Sequence, residues 1–194
     1  MRLGKIVAAQ AHYLYRCQVF RRHEVAEPPS AEDYAFGNFV SVQVRPDLEI
    51  IGVVSDTILN NPDYGRLGPR LSPESQLEIL SPDYLDEVFT EICIFALGTA
   101  GPSGPNQRMP RIAPQVGNEV RLLTEKEISD FHGLPHRLNL SYLGRIVGER
   151  RPLYLELAMA VLERLMPLAG PEHANMLAVQ LNDLQWKLTL EPRR

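Results

Sequence analysis

The chain has 194 residues, 44% hydrophobic and 23% charged; this ordinary globular balance excludes disorder as the main state and allows one sizeable domain with an appendage. A formal net charge of -4 and a pI of about 5.8 exclude a surface that is electropositive overall, the footprint of a protein that neutralises many phosphates, and leave only a local basic patch open. The two cysteines, Cys17 and Cys93, lie in apolar runs and read as reduced, buried thiols of a cytoplasmic protein.

From residue 2 to about 124, segments rich in β-branched side chains alternate with Pro, Gly, Asn and Asp, the pattern of successive strands. The first residues enter a strand pattern directly, without the apolar stretch of a signal peptide. Residues 3–9 form the first expected strand and 13–20 the second, with Tyr13, Tyr15, Cys17 and Val19 on one face. An acidic, proline-bearing connection over 23–33 precedes a third strand near 39–44. Residues 48–59 are the longest apolar run of this half, and Gly52 within it marks a bulge or sharp bend. Pro69, Pro73 and Pro82 predict a long irregular excursion between 64 and 86. Residues 88–97 read as a strong strand, 98–106 as a glycine-rich loop, and 119–123 as the strand that ends the β part.

The period then changes. Thr124 and Glu127 have capping-box spacing and start a short helix that Gly133 and Pro135 stop near residue 132. Residues 153–168 repeat Tyr154, Leu157, Val161, Leu165 and Leu168 at helical spacing. This stretch carries Glu156, Glu163 and Arg164 and is shorter than the ~20 residues of a membrane span, so no span is expected. Gly170-Pro171 separates it from a second helix over 172–188 with a heptad-like stripe of Leu177, Leu181, Leu184 and Leu188. Two such helices and a short turn predict an antiparallel hairpin. The expected fold is mainly β with α: a small closed β-barrel over 1–147, then a C-terminal α-helical hairpin over 148–194.

Leu3-Gly4-Lys5-Ile6-Val7, the segment Phe36-Gly37-Asn38-Phe39-Val40-Ser41-Val42 and Ile50-Ile51-Gly52-Val53-Val54 resemble the first half of the HerA and ATP synthase (HAS) barrel. The run from Ile92 to Gly98, then Gln107, Pro110, Pro114, Gly117, Val120 and the segment from Thr124 to His132, is similar to the way that barrel closes in HerA-type translocases. The resemblance spans about residues 1–147 and rests on order and spacing. Where the family's ATPase domain would begin, after residue 148, this chain enters the helical hairpin. A phosphate loop needs a lysine followed by Ser or Thr, and none of Lys5, Lys126 and Lys187 qualifies. The resemblance therefore implies the barrel without the motor. Barrels of that family line up in rings, which implies a protein partner: a second copy of the chain, a ring ATPase or another complex.

Other constellations favour ordinary structural roles. The loop over 98–104 lacks a phosphate-binding lysine, and Gly133 and Pro135 break the helix that would align His132 with His136 as metal ligands. Asp83, Asp86 and Glu87 read as a solvated acidic face. No catalytic residue, cofactor or metal is expected. Leu177, Leu181, Leu184, Trp186 and Leu188 are the candidate partner-binding residues, although such a stripe also serves simple packing. Arg66, Arg70, Arg108 and Arg111, with Tyr64 nearby, are the candidate nucleic-acid contacts of an alternative reading, an accessory factor beside a separate translocase or nuclease.

Overall fold

In the computed structural model, which describes residues 1–22, 24–61, 88–149 and 151–190, the alternating segments become seven strands. These are β1 (Arg2–Ala11), β2 (Leu14–Val19), β3 (Phe39–Arg45), β4 (Leu48–Asn60), β5 (Phe89–Gly101), β6 (Gly104–Asn106) and β7 (Glu119–Leu122). The excursion expected over 64–86 lies outside the described residues, together with Tyr64, Arg66, Arg70, Asp83, Asp86 and Glu87. Neighbours run β2-β1-β7-β3-β4-β5, and a β2–β5 pairing closes the sheet into a barrel of six antiparallel strands. Closure leaves these six strands no free edge, so their ladder groups are satisfied around the ring. β6 lies outside the ring as a short hairpin arm on β5.

Period-two alternation sorts the side chains between two sides of the wall. Ile6, Tyr15, Cys17, Val19, Val40, Val42, Ile50, Val54, Ile92, Ile94, Ala96 and Val120 fill the interior, which is a packed core rather than a channel. The register shifts between Ile51 and Gly52, the position where the sequence marks a bend. A side chain on Gly52 would meet Ile94 Cγ2 at 2.6 Å and the Phe95 carbonyl oxygen at 2.9 Å, so the two strands approach too closely there for any other residue.

The opposite faces of β3, β4 and β5 are equally apolar, and the C-terminal third covers them. Phe39, Ile51, Val53, Phe95 and Leu97 belong to one buried cluster with side chains from four helices: α1 (Glu125–His132), α2 (Leu143–Gly148), α3 (Pro152–Leu165) and α4 (Pro171–Leu190). Thr124 caps α1 with the expected capping box, and Gly133 ends it in the left-handed conformation at φ 72°. Pro152 sits in the first turn of α3, where its missing N–H is harmless. α2 was not foreseen: its six residues follow the 133–142 connection and have no side-chain cap at the N-terminus. α3 lies against the barrel wall with Leu157, Ala158, Val161, Leu162 and Leu165 buried, and α4 packs on α3. The hairpin therefore shares its core with the barrel's outer wall.

Candidate functional site

The face of α4 that packs inward is the leucine stripe. Leu177 and Leu184 are 0% and 4% exposed, and Leu181 and Leu188 are partly buried on the same cluster. These four candidate partner-binding leucines thus face their own chain, on the side of α4 that packs on α3. Trp186, the fifth, faces out at 63% exposure.

Trp186 is accompanied by residues the sequence reading passed over. Met176, Val179 and Leu190 are also exposed apolar side chains of α4. At about 100° of rotation per residue, they and Trp186 form a second stripe roughly 150° around the helix from the leucines. The helix is thus apolar on two nearly opposite faces, one covered and one open. Spacing alone could have found the second face. Asp183 interrupts it, and the stronger leucine repeat on the other side draws attention away. Asp183 and Lys187 form an i,i+4 ion pair at 2.6 Å beside Trp186. His173 Nε2 donates to the Pro135 carbonyl at 3.0 Å and ties the start of α4 to the connection after α1.

The two described arginines of the candidate basic patch, Arg108 and Arg111, come together. They line one surface hollow of about 250 Å³ with Leu48, Thr99, Asn106 and Ile112. Among the described residues their guanidinium groups make no ion pair. The segment that carries them is firmly held. The buried Gln107 amide donates to the carbonyls of Phe131 and Asn139 and accepts from the Ser141 N–H, while the Arg145 guanidinium donates to the carbonyls of Gln107 and Leu97. His12 Nε2 donates to the Pro110 carbonyl at 2.6 Å.

Three titratable groups weighed for chemistry, Cys17, Cys93 and His132, are placed in structural roles. Cys17 lies inside the barrel and Cys93 in the wall; both are free thiols, and burial pushes both up, away from the nucleophilic thiolate. Both nitrogens of His132 are used. Nδ1 donates to the Ile128 carbonyl at 2.6 Å, and Nε2 accepts from the Tyr142 hydroxyl at 2.7 Å. The ring is fully buried against Phe39 and Phe131, and burial lowers its pKa to about 4, so it is a neutral link between α1 and the segment before α2. Among the described residues, no group of three or more His, Cys, Asp or Glu side chains could hold a metal ion. No helix of the described residues is long and apolar enough to cross a membrane.

The fold and its surfaces define a class: a closed six-stranded antiparallel barrel with a helical hairpin fixed to its outer wall. The chain belongs to the family described as Domain of unknown function (DUF8166), whose model matches residues 1–191. The matched span takes in the barrel and the whole described length of α4. No curated protein matches the chain.

Proposed function

We propose that this protein is a non-catalytic docking or assembly module built on a HAS-like barrel, and that the outward face of α4 is its protein-binding surface. The partner is a second copy of the chain, a ring ATPase or another complex. The observation that carries this reading is the open stripe of Met176, Val179, Trp186 and Leu190, on a helix whose other face is already packed on α3. Packing of the hairpin does not require that stripe. An exposed tryptophan among aliphatic neighbours is the composition that anchors protein interfaces. The barrel gives the helix a rigid base, because α3 and α4 share their core with β3, β4 and β5. The order of the barrel's segments, with the run around Ile94 followed by Gln107, Pro110, Pro114 and Gly117 before the last strand, supports the HAS-like assignment.

Site-specific photo-cross-linking in the native cells tests this. A photoreactive residue in place of Val179 should give covalent adducts with a defined protein, and the same residue in place of Val116, an exposed position off α4, should not. Position 179 giving no more adduct than position 116 would overturn the reading.

A further inference from the structure

We propose that the hollow lined by Arg108 and Arg111 binds a small phosphate monoester, with the two guanidinium groups on its phosphoryl oxygens and an aliphatic lip against its ester stem. No residue of α4 lines this hollow, so the proposal goes beyond the docking surface above and does not rest on it.

The charge of the hollow selects an anion. Arg108 and Arg111 are exposed, and among the described residues neither has an acidic partner. No acidic side chain of the described residues lines the hollow either. Asp47, next in sequence to the lining residue Leu48, lies 3.9 Å from the Arg45 guanidinium instead. Two cations on one short segment repel each other, and a dianion between them turns that repulsion into attraction. A carboxylate carries one charge and leaves one guanidinium uncompensated. A phosphoryl group carries two, and its three terminal oxygens suit the planar fork of arginine. Asn106 adds a donor. Its Oδ1 accepts the Arg108 N–H at 3.0 Å, while Nδ2 of the same amide makes no hydrogen bond among the described residues.

Size and lining restrict what carries the phosphate. At about 250 Å³ the hollow takes a phosphoryl group with a few carbon atoms, short of the room a drug-sized ligand needs. Leu48, Met109 and Ile112 form its aliphatic part, and Met109 and Ile112 are 38% and 43% exposed, so a short apolar stem gains by covering them. No aromatic ring of the described residues lines the hollow, and nucleobases find no stacking platform there.

The backbone that carries the arginines is fixed on both sides. Gln107 is buried and hydrogen-bonded to Phe131, Asn139 and Ser141, and His12 holds the Pro110 carbonyl at 2.6 Å. Arg108 and Arg111 each follow one of these pinned residues, which reduces the ordering that binding must impose.

Titration of the full chain with n-butyl phosphate, followed by amide chemical shifts, should move the resonances of Arg108, Met109, Arg111 and Ile112 saturably. Binding should be tighter than that of inorganic phosphate or of pentanoate. Arg108→Gln and Arg111→Gln should each weaken it about tenfold or more, since each removes a charge-assisted contact. Arg164→Gln, at an exposed position of α3, should leave it unchanged. Both hollow arginines are exposed, so the thermal unfolding of these variants should match that of the wild type. Absence of saturable shifts at these residues with millimolar butyl phosphate would overturn the site. Equal binding of pentanoate would overturn the phosphate assignment, and equal binding of inorganic phosphate would overturn the apolar stem. A single-stranded oligonucleotide that binds through the same two arginines more tightly than butyl phosphate would overturn the small ligand in favour of nucleic acid. Cross-linking at position 179 is indifferent to all of these results, so the two readings fail separately.

Discussion

His132 shows how a residue singled out for chemistry becomes part of the scaffold. It is buried as a neutral ring, with its pKa lowered from 6.5 to about 4 by desolvation. The unfolded chain takes up a proton that the folded chain refuses, so the stabilising contribution is complete above pH ~6.5 and is lost as the pH falls towards 4, by about 3 kcal/mol. Denaturant melts across that window should show this loss in the wild type and a flatter profile in His132→Phe, even though that variant is less stable throughout. An identical slope in both would show that His132 titrates freely in the folded chain. The sequence shows the His132 and His136 pair and the helix breakers between them, and hence the weakness of a metal site. It does not show Tyr142, ten residues away, as the partner that fixes the ring, because the 133–142 connection has no periodic signal to place it.

At the scale of elements, local patterns were legible and long-range placement was not. Alternation marked β1 to β5 and β7, Gly52 marked the irregularity in β4, and Thr124 and Glu127 marked the start of α1, because each signal is encoded within a few residues. α2 was missed because six residues are too short for a helical period to stand out. The leucine stripe of α4 was visible, but its direction was not: a stripe that binds a partner and one that binds α3 have the same spacing. The two faces of α4 therefore predict opposite results for two truncations. Leu184→Ala removes a buried side chain from the shared core and should lower unfolding stability by about 2–5 kcal/mol. Trp186→Ala, at a position 63% exposed, should leave the stability of the dilute chain within about 0.5 kcal/mol of wild type. Equal losses in chemical denaturation would mean that the outward face also packs within the chain.

At the scale of the molecule, the barrel and hairpin divide the work. The barrel satisfies its own backbone by closing and fills its own interior, yet the outer faces of β3, β4 and β5 stay apolar and need a cover. The hairpin supplies that cover with one side of α3, and α4 completes the layer with its leucines. What remains is a rigid body with Trp186 and its neighbours turned outward. The central claim, that this outward face is where the protein assembles, is tested most directly by oxidative footprinting of Trp186 with mass-spectrometric readout, in the dilute purified chain and in the assembly isolated from native cells. Trp186 should oxidise readily in the dilute chain and be strongly protected in the assembly, whereas equal oxidation in both would contradict the claim.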